Sequence, residues 1–306
     1  MAFEFFNNKG KFFKGNLHGH SNKSDGKLTP EEVCGTYIEK GYNFISITDH
    51  FLGMFNYPIT IPEFKIKNFT VLPGAELHTS QMENGELWHV LALGLKDQFT
   101  QPRQTNFLIS TQSENIESLS SRLYEDGAFV SLTHPEWNGM TLQDTLKIKE
   151  AHAIEIYNHG CAIECDRGSG VAVLDQLLNH GKKVNIIATD DSHFHIDDAF
   201  GGWVMVKSEI NNEESLLEAL KNGHYYSSQG PDFRDIKVQE GRLEVFCSPV
   251  EKIIVSGYGS ATTYKHKSDM ESASFNLALL PQKKWLRVTI FDKEGNKAWT
   301  NPIYDY

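Results

Sequence analysis

No apolar run in this 306-residue sequence reaches the roughly 20 residues that a membrane-spanning helix needs. The longest runs, such as FISI and FVSL, are short. The amino-terminal stretch MAFEFFNNKGKFFKG contains no apolar core of signal-peptide length. These two absences predict a cytoplasmic protein with no membrane partner.

Positive charge is also scarce, because 29 lysines and arginines face 40 acidic residues, for a net charge of −11. This balance argues against a broad basic surface, so extended duplex nucleic acid is not an expected partner. A small phosphorylated substrate stays compatible with it, because bound cations can invert the local charge. With 40% hydrophobic and 23% charged residues, the composition is that of an ordinary globular protein.

Only four cysteines are present, namely Cys34, Cys161, Cys165 and Cys247. Cys161 and Cys165 are four positions apart, but no second cysteine pair completes a zinc-binding pattern. Disulfides are unusual in the cytosol. We therefore expect four free thiols.

Strand and helix patterns alternate up to residue 232. The clearest helix is predicted over 29–41, where Thr29 is the N-cap, Pro30 takes the first helical position and Gly41 ends the helix. Further helices are expected over 113–127, 141–151, 171–181 and 212–223, and strands over 43–50, 69–78, 87–95, 128–135, 153–158 and 183–193. Such alternation indicates an α/β fold with a parallel sheet or, as the number of strands favours, a barrel.

The pattern changes at Phe233, after which short strands and turns such as KEGN follow each other without a helix. We therefore predict two domains. Residues 1–232 form the α/β barrel, and residues 233–306 form a small all-β, sandwich-like C-terminal domain packed on it.

Metal-binding side chains recur where the predicted strands end. They are His18 and His20 in HGHSNKSDG, Asp49 and His50, Glu76 and His78, His134, and Asp190, Asp191 and His193. Barrels gather their active sites at this end of the strands, because the strand-to-helix loops converge there. Alone, a His-X-His is more often a surface strand or a hydrogen-bonded pair, and Asp190-Asp191 is as readily a helix cap or turn. Together these residues predict a metal centre.

The spacing suits chelation, because positions i and i+2 of a strand share one face. His18 and His20 are expected to chelate one ion, and so are Asp191 and His193. A carboxylate such as Glu76 can bridge two ions. Mixed imidazole and carboxylate ligands favour zinc, manganese or iron. Neighbouring cations of this kind clamp a phosphate ester and lower the pKa of water.

The segments LHGHSNKSDGKLTPEEV, ITDH, GAELH, SLTHP and TDDSH, in this order, resemble the PHP (polymerase and histidinol phosphatase) superfamily of metal-dependent phosphoesterases. The resemblance covers about residues 12–230. The tail, with YYSSQGPDF and KAWTNPIY, is similar to a stand-alone, carbaryl-hydrolase-like subgroup of metallohydrolases. The resemblance implies a distorted seven-stranded (β/α)7 barrel with two to three divalent metal ions, zinc, manganese or iron, per chain.

The resemblance also implies roles, residue by residue. The metal ligands would be His18, His20 and Asp191 on the first ion, Glu76 bridging it to the second, His134 on the second, and Asp25, His50 and His193 on the third. His89 is the best match for a further ligand, and its alternative is a core histidine on a buried strand. His20, Asp25, Glu76 and His193 form the expected catalytic set. The chain has ATDDSH where the family often has GSDAH, which selects Asp191 and leaves Asp190 as a candidate partner behind it.

The substrate contacts are less well defined. Asn158, His159, Arg167 and His78 lie at or near strand ends and are the candidates, although a solvated loop is the more ordinary place for an arginine such as Arg167. Trp137 and Phe51 are aromatic side chains near the expected site.

The leading functional hypothesis is a metal-dependent phosphoric ester hydrolase acting on a small phosphomonoester, a nucleotide or, like a 5′–3′ exonuclease, an oligonucleotide 5′ end. The alternative keeps the metals but cleaves a carbamate, ester or amide bond. A third hypothesis is a non-catalytic metal-binding scaffold. The sequence does not specify the oligomeric state.

Overall fold

The computed structural model describes residues 3–63, 67–280 and 284–304. Within these ranges the chain forms fifteen strands and six α-helices, with 3-10 turns at Gly53–Phe55 and Leu277–Leu279. The strands are β1 (Phe3–Glu4), β2 (Lys11–Asn16), β3 (Phe44–Ile47), β4 (Thr70–Gln81), β5 (Leu87–Leu93), β6 (Phe129–Leu132), β7 (Ala153–Asn158), β8 (Asn185–Thr189), β9 (Trp203–Ser208), β10 (Tyr225–Ser228), β11 (Phe233–Gln239), β12 (Arg242–Gly257), β13 (Thr262–Asn276), β14 (Leu286–Phe291) and β15 (Lys297–Thr300). The helices are α1 (Pro30–Glu39), α2 (Ile116–Glu125), α3 (Leu142–Lys147), α4 (His159–Cys165), α5 (Val171–Asn179) and α6 (Glu213–Lys221).

Helix α1 begins as its sequence predicts. The Thr29 hydroxyl accepts a hydrogen bond from the Glu32 backbone N–H at 3.3 Å, and the Glu32 carboxylate accepts one from the Thr29 N–H at 2.8 Å. This reciprocal capping box satisfies two backbone donors that the first helical turn leaves unpaired. Pro30 takes the first helical position, where its missing N–H costs no bond.

The barrel strands run in the order β2-β3-β4-β5-β6-β7-β8, and β9 pairs antiparallel with β2 beside them. Strands β2, β3 and β4 are parallel, and so are β6, β7 and β8. Strand β5 is antiparallel to both β4 and β6, so the expected parallel pairing does not hold there, although two successive strands were predicted. Only residues 82–86 join β4 to β5, which is too short for a crossover helix and long enough for a hairpin.

The chain segments that follow β2 and β8 close the barrel. Gly19 and Ser192 form an isolated parallel bridge, and the His20 N–H donates to the Ser192 carbonyl at 2.8 Å. The Asp191 N–H donates to the His18 carbonyl at 2.9 Å. His18 and His20 therefore lie beyond the end of β2 at Asn16, and not on the strand that the sequence pattern suggested. Closure brings the first and last predicted ligand groups together.

The C-terminal strands are antiparallel and continue from the barrel sheet. Strand β10 pairs with β9 on one side and with β15 on the other, and the long strand β12 pairs with β11, β13 and β14. Trp285 and Trp299 are buried in the barrel core, and the Asn301 side chain accepts the Ile186 N–H at 2.9 Å. A distorted α/β barrel with an all-β C-terminal part is therefore confirmed. Its division into two domains at residue 232 stays a prediction.

Helix α4 was missed, because HGCAIEC follows β7 directly and contains Gly160, a poor helix former. No helix among the described residues is long and apolar enough to cross a bilayer. All four cysteines are free, as expected.

Candidate metal centre

The predicted ligands converge at the end of the barrel where the strand-to-helix loops meet. In four groups, the ligand atoms all lie within 4.8 Å of one another. The groups are His20–Asp25–His50–His193, His18–His20–Glu76, His50–Glu76–His78 and Glu76–His89–His134. Asp191 joins them through its Oδ1, which lies 3.1 Å from the His18 Nε2 and 3.0 Å from the His20 Nε2.

Glu76, on β4, is the centre of this arrangement. Its Oε1 lies 2.9 Å from the His89 Nδ1 and 3.1 Å from the His134 Nε2, and its Oε2 lies 2.7 Å from the His50 Nδ1. Burial raises the pKa of Glu76, but the charges and hydrogen bonds of these imidazoles outweigh it and hold that pKa well below its usual range. An ionised carboxylate with nitrogens on both oxygens can bridge two cations.

The two histidines of HGH are buried, and their environments differ. Burial lowers the pKa of His18, but Asp191 and Glu155 outweigh it and raise that pKa well above its usual value. Burial, with the nearby rings of His193 and His50, lowers the pKa of His20 to about 4. His20 is thus held in the neutral form in which imidazole binds a metal.

Asp25 forms the outer group with three imidazoles. Its Oδ2 lies 3.2 Å from the His50 Nε2, and its Oδ1 lies 3.5 Å from the His193 Nε2 and 3.8 Å from the His20 Nδ1. Burial raises the pKa of Asp25, but the hydrogen bond and charge of His50 outweigh it and keep the pKa far below its usual value. The Asp25 side chain is 40% exposed, so this group faces the solvent-accessible side of the centre.

Asp49 holds the loop that carries Asp25. The Asp49 Oδ1 accepts hydrogen bonds from the Ser21 N–H and the Ser24 hydroxyl, each at 2.7 Å. Its Oδ2 accepts from the Ser21 hydroxyl at 2.7 Å and the Thr60 hydroxyl at 2.5 Å. The serines of HGHSNKSDG therefore fix a turn on a buried carboxylate and are not placed as metal ligands.

Glu155, on β7, is a functional candidate that the sequence reasoning missed. Its Oε1 lies 2.7 Å from the His18 Nδ1 and accepts the Thr189 hydroxyl, and its Oε2 accepts the His134 N–H at 2.6 Å. A carboxylate only accepts, so in the neutral His18 ring the proton is on Nδ1, and Nε2 is the nitrogen that can offer a lone pair to a cation. An acid inside the buried strand AIEIYN was the available signal.

Two buried imidazole nitrogens without hydrogen-bond partners in the described part of the chain indicate whether the site fits a cation. The His18 Nε2 and the His20 Nδ1 have no hydrogen-bond partner among the described residues. A buried polar atom without a partner is costly, and a metal ion satisfies an imidazole lone pair. Together with the carboxylates of Glu76, Asp25 and Asp191, this donor set fits divalent cations.

Two candidate ligands have unusual backbones, Asp191 with φ 55° and His134 with φ 24°. Residues other than glycine rarely adopt such angles, and they cluster at functional sites. The turn at Asp191 breaks the strand alternation. Asp191 faces His18 and His20 whereas His193 faces Asp25, so this geometry gives no support to joint chelation of one ion by Asp191 and His193.

A sequence model of the PHP domain family matches residues 16–186, more than half of the chain. This chain belongs to the PHP domain family. No curated protein sequence matches it significantly. The PHP match contains every candidate ligand from His18 to His134 and ends just before Asp191 and His193.

Among solved structures, a two-domain protein from Bacteroides vulgatus ATCC 8482 containing a predicted PHP-like metal-dependent phosphoesterase has a TM-score of 0.52 and 15% identity, over 96% of each chain. An amidohydrolase from Chromobacterium violaceum, with bound sulfate and no metal, has a TM-score of 0.43 and 14% identity over 60% of this chain and 89% of that one. A lesion-specific endonuclease from Pyrococcus furiosus has a TM-score of 0.45 and 14% identity over 69% and 56%. The first match shows a shared overall fold over both parts of this chain.

The four predicted substrate contacts do not line the cavity above the PHP centre. Asn158 is buried and donates to Glu155 at 3.0 Å and to Asp191 at 3.1 Å. His78 is buried with its Nε2 2.8 Å from the His50 Nδ1. In these positions Asn158 and His78 can orient the proposed metal-binding side chains, and they do not reach the cavity where a substrate would lie.

His159 and Arg167, the other two, lie away from the cavity wall as well. The His159 Nδ1 is 2.8 Å from the Tyr157 hydroxyl, and Arg167 is exposed. The positions of His159 and Arg167 therefore do not support the prediction that they contact the substrate.

The cavity above the PHP centre has a volume of about 510 Å³, which suits a small molecule. Asp25, His50, Glu76, His134 and Asp191 are among the residues at its surface. Trp137 also lines it, as expected. Phe51 does not, because it is buried in the barrel core.

Proposed function

We propose that this PHP-family chain is a metal-dependent hydrolase and, within that class, a phosphoesterase acting on a small phosphorylated substrate. One observation carries the proposal. Glu76 has imidazole nitrogens at both oxygens, and it lies in the surface of an open cavity that also contains Asp25, Asp191 and His193. Closely spaced imidazole and carboxylate donors at an open cavity are the arrangement that metal-assisted phosphate chemistry requires.

The proposed ligands are His18, His20, Asp25, His50, Glu76, His89, His134, Asp191 and His193. The overlapping donor groups support two or three zinc, manganese or iron ions. When bound, such cations neutralise charge on phosphoryl oxygens and lower the pKa of water. His89 joins this set on geometry, because its Nδ1 lies 2.9 Å from the Glu76 Oε1.

His193 turns one ring nitrogen toward the centre. Its Nδ1 lies 2.9 Å from the Asp191 carbonyl, which only accepts, so Nδ1 carries the proton in the neutral ring. The remaining nitrogen, Nε2, points toward Asp25 and the cavity. With cations bound, the His193 Nε2 and the Asp25 carboxylate would be ligands on the cavity side of the centre, and His20 and Glu76 would be ligands within it.

A second candidate function is hydrolysis of a carbamate, ester or amide. Phe107 and Trp137 line the cavity, and among the described residues no lysine or arginine does. A neutral aryl substrate would suit such a cavity, since binding it needs no counter-charge. An oligonucleotide 5′ end fits less well, because its further phosphates would find no cation.

The test is p-nitrophenol release by manganese-loaded protein from a phosphate monoester, a phosphate diester and a carboxylic or carbamate ester, each with and without chelator. We expect chelator-sensitive turnover of a phosphate ester. His20→Ala should abolish it and lower bound manganese, whereas His266→Ala, at an exposed position on β13, should change neither.

Turnover of the carboxylic or carbamate ester alone would replace the phosphoesterase proposal with the second candidate. Manganese binding that depends on His20 but comes with no turnover of any ester would favour the non-catalytic scaffold.

A further inference from the structure

Besides the histidines of the proposed metal centre, two kinds of side chain make up most of the lining of the cavity above it. The acidic ones are Asp25, Glu76, Glu86, Glu164, Asp191 and Asp198. The apolar ones are Leu87, Phe107, Leu108, Ile109, Trp137 and Ile196. Among the described residues neither lysine nor arginine joins them. Any positive charge offered to a substrate therefore comes from the metal end of the cavity alone.

Phe107 and Trp137 flank the proposed ligands from two sides. The Phe107 ring centroid lies 5.0 Å from that of His50, and the Trp137 centroid lies 4.9 Å from that of His134. Both side chains stay accessible, at 43% and 37% exposure. Exposed aromatic surface beside a cavity favours a ligand that removes it from water, and it favours flat rings most, because these stack at low entropic cost.

The segment that carries Phe107 is held from the inside. Gln104 is fully buried, and its Nε2 donates to the Asn106 carbonyl at 2.6 Å and to the Leu108 carbonyl at 2.5 Å. Ser113 donates to the Gln104 Oε1 from the other end of the segment. The apolar wall is thus built before a ligand arrives, which lowers the cost of binding one.

From this arrangement we infer the substrate class. The substrate has one phosphoryl group at the metal end, an aromatic or similarly flat apolar group between Phe107 and Trp137, and no second anionic group. The inference rests on the proposed function and narrows it from phosphate esters in general to singly phosphorylated aryl or apolar esters. A second anion would meet Glu86 and Glu164 with no cation to offset their repulsion.

Binding of non-hydrolysable ligands tests this without turnover. Manganese-reconstituted protein is titrated calorimetrically with methylphosphonate, phenylphosphonate and 4-carboxyphenylphosphonate at low salt. We expect phenylphosphonate to bind about tenfold more tightly than methylphosphonate, because it buries apolar ring surface. The affinity for 4-carboxyphenylphosphonate should be at least about threefold lower than that for phenylphosphonate, because the added carboxylate is repelled by Glu86 and Glu164.

Variants test which side chains cause the preference for the phenyl group and which cause the weaker binding of the 4-carboxy ligand. Phe107→Ala and Trp137→Ala should each reduce the preference for phenyl over methyl to about twofold, and Trp137→Phe should keep most of it. The double variant Glu86→Gln/Glu164→Gln should bring the 4-carboxy ligand close to phenylphosphonate. Glu150→Gln, an exposed position outside the cavity, is the matched control and should change nothing.

Equal affinities for methyl and phenyl phosphonates would overturn the apolar part of the inference. Equal affinities for the phenyl and 4-carboxy ligands would overturn the exclusion of a second anion. If no phosphonate binds, but phenyl carbamate binds in a manner that depends on Phe107 and Trp137, the phosphoryl part falls together with the proposed phosphoesterase, while the aromatic part is supported. No binding of any of these ligands overturns the whole inference.

Discussion

Replacing Glu155 with glutamine should destabilise the protein and weaken its hold on metals. Every group around this carboxylate donates a hydrogen bond. His18 and Thr189 donate to one oxygen, and the His134 backbone and the Asn158 amide donate to the other. A glutamine presents one oxygen and one NH₂ group. In either orientation its NH₂ group, which is itself a donor, replaces an acceptor for two of the four surrounding donors.

Either orientation of the glutamine has a definite cost. If its NH₂ faces the His134 N–H, a buried backbone donor is left unpaired. If it faces the His18 Nδ1, the ring has to move its proton to Nε2, which removes the lone pair that a metal needs. Two unsatisfied buried donors at about 1–3 kcal/mol each lower the free energy of unfolding by about 2–6 kcal/mol. Metal affinity should fall about 10- to 100-fold.

Urea unfolding of the metal-free protein measures the first effect. Manganese titration of the folded variant, with circular dichroism to confirm its fold, measures the second. Glu125→Gln, at the exposed end of α2, is the control and should leave both unchanged. A Glu155→Gln protein with wild-type unfolding midpoint and wild-type manganese affinity would show that Glu155 does not position His18.

Two further predictions concern groups outside the metal centre. Burial, with the charge of Lys221, lowers the pKa of His152 to about 4, and its Nδ1 accepts the Val130 N–H at 3.1 Å. The His152 imidazole therefore binds a second ring proton near pH 6.5 in the unfolded chain but only near pH 4 in the folded chain. The free energy of unfolding should therefore fall as the pH is lowered from about 6.5 to about 4. We expect a decrease of about 1–2 kcal/mol, since the partial exposure of His152 allows solvent to screen the effect. Urea titrations at pH 7 and pH 4 should show a smaller fall for His152→Gln than for wild type, and an equal fall would contradict the assignment. Burial raises the pKa of Cys34 to about 12, whereas Cys165 is exposed, so a thiol reagent at pH 8 should label Cys165 in the folded protein and reach Cys34 only after unfolding. Labelling of both at one rate would refute this.

The sequence predicted the elements whose signals are local. Thr29 and Pro30 marked the start of α1, and polar residues after apolar runs marked the strand ends that meet at the metal centre. The pairing direction of β5 was not predictable by the same means, because a hydrophobic run looks alike in parallel and antiparallel strands.

The missed parts of the site depend on contacts between distant segments. Glu155 gains its role from His18, 137 positions away, and nothing within AIEIYN identifies that partner. Asp191 and His193 separate because of one left-handed residue, which the i, i+2 rule does not anticipate. Asn158 and His78 were predicted as substrate contacts, and only the fold reveals that they face the proposed ligands and not the cavity.

The way in which Asn301 and Trp299 meet the barrel has a consequence for synthesis on the ribosome. Asn301 accepts the Ile186 N–H of β8 and donates to the Tyr225 carbonyl of β10, and Trp299 fills space in the barrel core. These partners leave the ribosome more than 70 residues before Asn301 does. The nascent barrel therefore has β8 and its core incompletely covered until the segment that carries Trp299 and Asn301 has emerged. That interval exposes apolar surface, so it is the stage at which a chaperone would matter most for this chain.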